Sequence, residues 1–396
     1  MHDGFLEVAA ASLLVTLAAM LAVGGLAARL GFPVPDAAKR IGMVDGLRGY
    51  LASLVFIHHF HIVVRMICFG EPWQSPPVRF YNQIGMAGVA FFFMITGLVF
   101  YPRIVAGIQG TNWPKLYRRR AFRILPLSLF AVTMVCAIAF AGTGNRPDSA
   151  FWKAVPQWLV GFRPPDLLGY PDTFTINGWV MWSLWYEWLF YIGLLPFCAV
   201  VSTMLRDRRK VWLIPCALIV AGFVGRQLSG NAWFTYLPAF AVGMLAFELS
   251  ALARVKGLLE RPLTAAICLA LLVLVLVFGN RPYGAWLAVY GFIFVTVVVG
   301  NRYFGLLSNR GAIVLGEVSF SIYMLHAIVL HLLNTPLRAW ASADPVRLVI
   351  AMPLVGIVVA GVSCASYLLI ERPGMKLGRW IENSSRGAAL EERVAP

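Results

Sequence analysis

Residues 45–66 read DGLRGYLASLVFIHHFHIVVRM, an apolar stretch that carries ionisable side chains. An α-helix rises 1.5 Å per residue, so about 20 such residues cross the ~30 Å hydrocarbon layer of a bilayer. Charged and titratable side chains cost several kcal/mol in that layer and are functional-site candidates by default. The stretch therefore predicts a transmembrane helix that carries part of a functional site.

The rest of the chain has the same character. Apolar residues make up 60% of the 396 residues, charged residues only 13%, and the mean hydropathy is +0.75. Soluble proteins carry about 25% charged residues, so a water-facing surface cannot be built here. Further apolar stretches lie at 5–30, 84–105, 124–142, 179–204, 211–228, 232–250, 262–279, 284–300, 312–333 and 347–370. We expect an all-α polytopic membrane protein, a bundle of about eleven transmembrane helices.

The basic residues behind the net charge of +15 lie mainly on one side of the predicted membrane bundle. Most of the 33 Lys and Arg residues fall in alternate loops between the predicted spans. The positive-inside rule makes those loops cytoplasmic, which places the N-terminus outside and the C-terminus inside. The basic charge thus reflects topology in a lipid bilayer, and no nucleic-acid partner is expected.

Three segments are predicted along the chain. Residues 1–40 contain an extra N-terminal helix, because its apolar run is longer than a signal peptide's and only Asp3, with no Lys or Arg, precedes it. Residues 41–375 form the main membrane domain, and 376–396 a polar cytoplasmic tail. Pro373 is expected to stop the last span, with the charges of Glu371 and Arg372 pairing locally. The six cysteines are scattered without a C-x-x-C, which predicts neither a metal site nor a disulfide framework.

Helical geometry relates the ionisable residues of 45–66. Arg48 and His59 are eleven residues apart, which places them about 20° from the same face and about 16 Å apart along the axis. Arg48 is then near the cytoplasmic mouth and His59 near mid-membrane, whereas His58 and His61 point elsewhere. A metal site made by the three histidines is not expected, because neighbouring positions on a helix diverge. The alternative for His59 is a helix–helix hydrogen bond without a chemical role.

A basic run precedes the fourth apolar stretch. It contains Arg119, Arg120 and Arg123, and the last two share a helix face at spacing i, i+3. Guanidinium groups bind phosphate through paired N–H donors, so this run is a candidate phosphate site. The alternative is simple anchoring under the positive-inside rule.

Two polar stripes lie within later spans. Ser183, Glu187 and Tyr191 follow at i, i+4 and i+8 inside an aromatic helix. Glu187 has no helical partner of opposite charge, so it requires a base from another helix, a proton or a wet cavity. The second stripe contains Ser319, Tyr323 and His326. Packing roles remain open for both stripes.

The longest non-spanning segment, 143–178, is predicted to lie outside. Its Phe151, Trp152, Trp158 and Phe162 suit either a belt at the interface or a lid over an outer cavity. No internal repeat is visible, so an inverted-repeat transporter is not indicated.

Six of these features, in this order, resemble the acyltransferase 3 family of bacterial membrane O-acyltransferases. The family's D-G-L-R motif is matched at Asp45–Arg48, and the His-Phe that follows it is matched at His59-Phe60. The family's aromatic run that leads to S/T-G-F is matched at 91–97, with Leu98 in place of the Phe. R-x-x-R-I-x-P is matched at 120–126, W-S-L-x-x-E-x-x-F-Y at 182–191, and E-x-P at 371–373. S-x-Y-L-x-H is matched at 321–326, with Met324 shifting the Leu by one position. The resemblance covers about 41–375 and implies ten core helices in addition to the N-terminal one.

The resemblance implies transfer of an acyl group, usually acetyl, from cytoplasmic acyl-CoA to a hydroxyl of a saccharide or glycolipid. Acetyl-CoA or another acyl-CoA is then a co-substrate, no bound cofactor is expected, and the location is the bacterial inner membrane. The implied catalytic residues are His59, as general base or acyl carrier, Arg48 and Glu187. The implied donor-binding residues are Arg48, Arg119, Arg120 and Arg123. Candidate cavity or acceptor residues are Ser183, Tyr191, Tyr323 and His326.

Two other functional classes share these features. A transporter or flippase of an acylated or glycan substrate would also have many spans, intramembrane charges and a central cavity. A non-catalytic scaffold would tolerate replacement of Arg48 and His59. The sequence leaves open the acceptor, the acyl group and whether the chain forms a homo-oligomer.

Overall fold

A computed structural model describes residues 3–34, 43–205 and 207–394, and over these ranges the regular structure is helical throughout. This confirms the prediction of an all-α polytopic bundle. The helices are α1 (Asp3–Arg29), α2 (Val44–Phe69), α3 (Arg79–Ala106), α4 (Trp113–Thr143), α5 (Ser149–Val160), α6 (Trp182–Leu189), α7 (Leu195–Met204), α8 (Leu213–Ser229), α9 (Ala232–Ser250), α10 (Ala253–Leu259), α11 (Pro262–Phe278), α12 (Leu287–Val299), α13 (Arg310–Glu317), α14 (Ser319–Ala341), α15 (Pro345–Ser366) and α16 (Arg372–Val394).

Nine spans in the described ranges are long and apolar enough to cross a bilayer, and a tenth results if α10 and α11 count as one. About eleven spans were predicted, and the structure departs from this number at two predicted spans, 262–279 and 284–300. α10 and α11 meet at a bend of 72°, because Pro262 begins α11. α12 has 13 residues, too few to cross alone, because the turn-forming residues 279–284 delay its start.

Two helix pairs continue through a π-helical turn. Phe190–Leu194 joins α6 to α7, and Tyr367–Glu371 joins α15 to α16. The prediction that Pro373 stops the last span is therefore wrong. Pro373 lies directly after the π-helical turn, and the helix continues past it as α16.

The predicted local pairing at Glu371 is also wrong. Glu371 is fully buried and accepts a hydrogen bond of 2.5 Å from Ser321 of α14. Gly374 and Gly378 lie against Phe122 of α4, which keeps α16 on the bundle. The predicted tail 376–396 is thus helical as far as Val394.

Glycines set the helix spacing around the centre. α2 packs against α3, α13 and α14, and α3 packs against α9. A Cβ at Gly316, at the end of α13, would lie 1.8 Å from the Asp45 carbonyl oxygen at the start of α2. Glycine therefore permits a backbone approach here that brings three helix ends together.

The N-terminal helix is part of the same bundle. α1 packs against α13 and α15, and the Ser12 hydroxyl donates to the Val349 carbonyl oxygen at 2.5 Å. The boundary predicted at residues 40 and 41 lies outside the described residues.

Candidate functional site

A cavity of about 410 Å³ lies at the end of the bundle where α2, α4 and α14 begin. Its apolar walls come from α3 and α6, including Phe92, Phe93 and Leu184. Its polar lining consists of Asp45, Arg48, Thr96, Arg120, Arg123, Ser183, Glu187, Tyr191, Glu317, Ser319 and Tyr323. Most of the candidate residues predicted on four separate stretches therefore face one space.

Arg48 is anchored at this cavity by one contact with α14 and one within its own helix. Its Nη2 donates to the Ser319 hydroxyl at 2.9 Å, and its Nη1 lies 3.7 Å from Asp45 Oδ1. Ser319 is the first residue of α14, so the contact fixes α2 beside α14 at this end. The guanidinium is held in place before any ligand arrives.

Two buried carboxylates lie beneath the arginines, and the sequence analysis did not single them out as site residues. Glu317 accepts a hydrogen bond of 2.6 Å from Tyr367, and Glu371 accepts from Ser321. Both carboxylates interact electrostatically with Arg48 and Arg123. The carboxylates offset the desolvation free energy of the buried guanidinium groups, which would be large for an isolated buried charge.

Glu187 lies near basic side chains from other helices, which is one of the environments predicted for it. It accepts a hydrogen bond of 3.2 Å from Tyr191, one turn along the same polar stripe. Its electrostatic partners are Arg120, Arg123 and Arg48 from α4 and α2. Glu187 thus faces three cationic groups across the cavity.

Arg119 lies away from the cavity. Its Nε is 3.0 Å from Glu382 Oε2 on α16, the side chain is half exposed, and Lys115 pairs with the same carboxylate. Adjacent positions on a helix differ by 100°, so Arg119 faces α16 while Arg120 faces inward. The structure places Arg119 in a contact between helices.

His59 and His326 form a pair that does not line the cavity. His59 Nδ1 lies 3.0 Å from His326 Nε2, although the residues are 267 positions apart. His326 Nδ1 donates to the Ile322 carbonyl oxygen at 2.8 Å, which leaves its Nε2 as an acceptor.

These contacts assign the tautomer of His59. Its Nδ1 lies 3.0 Å from both the Val55 carbonyl oxygen and His326 Nε2, which are two acceptors. In the tautomer that satisfies these two acceptors, the proton is on Nδ1 and the lone pair of a neutral His59 is on Nε2, while the ring also contacts the Gly178 backbone. A nitrogen in this state can accept a proton from a hydroxyl.

Loops at the end of the bundle opposite the arginine cavity cover this pair. The indole of Trp73 stacks on the His59 ring with centroids 5.7 Å apart. A Cβ at Gly178 would lie 3.4 Å from His59 Cδ2, and Gly178 has φ of +66°, which glycine adopts readily. The end of segment 143–178 thus lies directly beside His59, while its exposed Trp152 and Phe162 lie on the surface.

Tyr323 connects the cavity to the histidine pair. It lines the cavity, its hydroxyl is 2.8 Å from Ser183 Oγ and 3.0 Å from the Val180 carbonyl oxygen, and its ring lies 6.3 Å from that of His326. Tyr323 and His326 are separated by one turn of α14. The two compartments are therefore adjacent, with Tyr323 between them.

The other two histidines of α2 face α3. His58 Nδ1 donates to the Tyr81 carbonyl oxygen at 2.8 Å, and the ring of His61 packs on the ring of Tyr81. Within the described ranges, no three His, Cys, Asp or Glu side chains converge as a metal site needs.

A family model described as an acyltransferase domain, that of the acyltransferase 3 family, matches residues 41–370. The match contains all the cavity residues and both members of the histidine pair. No curated protein and no solved structure matches the chain.

Proposed function

Since the chain belongs to the acyltransferase 3 family and is a membrane acyltransferase, we propose that it moves an acyl group from acyl-CoA to an acceptor hydroxyl. The observation that carries this proposal is an arginine-lined cavity next to the paired histidines His59 and His326, with Tyr323 between the two. Acetyl is the group proposed, and the acceptor is a saccharide or glycolipid.

The cavity supports the donor half of this reaction. Arg48, Arg120 and Arg123 present guanidinium groups, which bind phosphate oxygens through paired N–H donors. Acyl-CoA carries phosphates at one end and the thioester at the end of a narrow arm. With the phosphates at the mouth of the cavity, the arm extends along α14, and the thioester passes Tyr323 to meet His59.

The histidine pair supports the chemical half. His59 Nε2 removes the proton of the acceptor hydroxyl as its oxygen attacks the thioester carbonyl carbon. The C–O bond forms, the C–S bond breaks, and the proton on His59 passes to the departing CoA sulfur. His326 orients His59 and keeps the other proton on Nδ1 throughout, so it is a positioning residue. The same Nε2 atom would carry the acyl group if the reaction went through a covalent intermediate.

The proposed orientation follows from charge. The cavity end carries the basic run of α4 and is assigned to the cytoplasm, where acyl-CoA is made. The opposite end, with Trp73 and Gly178 beside His59, then faces outward in a bacterial inner membrane. The acceptor meets His59 from that side.

A thiol-release assay tests the proposed function. Purified protein with acetyl-CoA and an acceptor glycolipid is expected to release free CoA in step with acetylated acceptor, followed with a thiol reagent and mass spectrometry. A transporter would move the acceptor across proteoliposomes without acyl-CoA, and a scaffold would do neither. Acceptor movement without any thiol release would reject the enzyme.

A further inference from the structure

A second concave space lies against α6 and α7. It has a volume of about 1240 Å³ and begins at the end of the bundle opposite the arginine cavity, between α6 and the start of α9. Its lining is dominated by partly exposed aromatic side chains, namely Phe162, Trp179, Trp182, Trp185, Tyr186, Phe197, Trp233 and Tyr236. We call this space the aromatic groove.

The aromatic groove differs from a belt at the membrane interface. Belt residues lie at the level of the lipid headgroups, where their rings face the membrane–water interface. Here the rings pack on one another, with centroids 4.5 Å apart for Phe162 and Trp185 and 5.1 Å for Trp182 and Tyr236. They enclose a common volume, as in ligand sites lined by aromatic side chains with few polar groups.

Arg163 supplies a cationic group at the rim. It is exposed, and its guanidinium lies 5.8 Å from the centroid of the Phe162 ring. Its backbone has φ of +41°, a conformation that residues with a Cβ adopt uncommonly. An anionic group bound above the aromatic rings would meet this guanidinium.

The other end of the groove opens along α7 towards the bilayer. Its lining there is Leu189, Gly193, Leu194 and Phe197, and the Phe197 side chain is 62% exposed. A Cβ at Gly193, inside the π-helical turn, would meet no atom within 4 Å. π-helical turns occur frequently at functional sites. The groove is therefore lined by aromatic side chains and Arg163 at its rim, and by apolar side chains alone at the end near α7.

The groove also borders both compartments of the proposed active site. Trp179, at its upper end, follows Gly178, which lies beside His59. Trp182 and Tyr186 each pack edge-on against Phe93, a wall of the arginine cavity. A headgroup in the groove is thus close to where the acyl group arrives.

We propose that the aromatic groove binds the acceptor, and that the acceptor is an anionic glycolipid. The sugar stacks on the aromatic walls, the phosphate pairs with Arg163, and the hydrocarbon tail lies along α7. This inference rests on the proposed function and orientation, and it adds the acceptor's site and chemical class.

Binding of a defined probe tests the inference. The probe is a hexose joined through phosphate to a dodecyl chain, added to purified protein and followed by tryptophan fluorescence and native mass spectrometry. The neutral dodecyl hexoside and the free hexose phosphate are the comparison ligands. We expect the anionic glycolipid to bind roughly tenfold more tightly than the neutral one, and the free hexose phosphate to bind weakest.

Matched variants locate the site. Arg163→Gln should abolish the preference for the anionic probe, and Trp233→Ala should weaken both glycolipids about tenfold or more. The controls are Lys153→Gln and Trp152→Ala, exposed residues of α5 outside the groove, which should change neither. Equal binding by Arg163→Gln, Trp233→Ala and wild-type protein would overturn the inference.

The thiol-release assay separates the two proposals. Arg163→Gln and Trp233→Ala should still bind acetyl-CoA, with the KM for the glycolipid raised. If the probe binds in the groove but no thiol is ever released, the enzyme proposal fails and the binding site stands. If thiol release and glycolipid KM are unchanged in both variants, the groove does not hold the acceptor.

Discussion

Replacement of His59 by Ala is expected to lower acyl transfer at least about 100-fold, because a positioned general base contributes 10²- to 10⁴-fold to a rate. Neither of the two imidazoles that pack beside His59 takes its place. His326 Nε2 faces His59, and the Nδ1 atoms of His58 and His326 are bound to carbonyl oxygens. The initial rate of acetyl transfer at saturating acetyl-CoA, measured on protein extracted from the membrane at wild-type yield, checks this.

Two further histidine variants are expected to lower acyl transfer less than His59→Ala does. His326→Ala removes the acceptor that orients His59 Nδ1 but leaves the base, so we expect a loss of roughly 10- to 100-fold in kcat. His331→Ala changes another partly buried histidine of the same helix, outside the pair, and should stay within about twofold. A His59→Ala protein with wild-type transfer would exclude His59 as base and as carrier.

Replacement of Arg48 by Gln is expected to raise the KM for acetyl-CoA roughly 10- to 100-fold. A hydrogen bond between ionised partners contributes about 1.5–3 kcal/mol, and each 1.4 kcal/mol corresponds to tenfold in affinity. Glutamine retains a donor for Ser319 but loses the positive charge that Glu317 and Glu371 now share with Arg123. Steady-state kinetics with varied acetyl-CoA measure the effect.

Arg119→Gln is the matched control for donor binding. Arg119 lies one position from Arg120, but it is half exposed and pairs with Glu382 of α16. Half-exposed ion pairs contribute only about 0–1 kcal/mol, so the KM for acetyl-CoA should change less than about fivefold. If Arg119→Gln impaired donor binding as much as Arg48→Gln, the cavity would not be the donor site.

Helical phase explains what the sequence could predict. The common face of Arg48 and His59 follows from residue spacing within one helix, and both do face α14, through Ser319 and His326. The position of Tyr323 between them follows from spacing on that second helix. Helical periodicity thus showed which residues of each helix share a face. Their polar side chains within apolar stretches indicated that these residues belong to a functional site.

Contacts between helices could not be predicted this way. The His59–His326 pair depends on how α2 and α14 are rotated against each other, which neither helix encodes alone. The split between Arg119 and Arg120 depends on where α16 packs on α4. Pro373 was expected to end a helix, but it directly follows a π-helical turn through which the helix continues, and the sequence does not mark that turn.

In the proposed mechanism the acyl group enters from the face that carries the arginine cavity and is transferred at His59 towards the opposite face. Membrane vesicles of both orientations test it, because acyl-CoA does not cross a sealed bilayer. Labelled acetyl-CoA added to sealed inside-out vesicles should label the acceptor glycolipid, and right-side-out vesicles should give no label until detergent opens them. His59→Ala vesicles should give none in either orientation. Equal labelling of intact vesicles of both orientations, or labelling only from the outer face, would contradict the account.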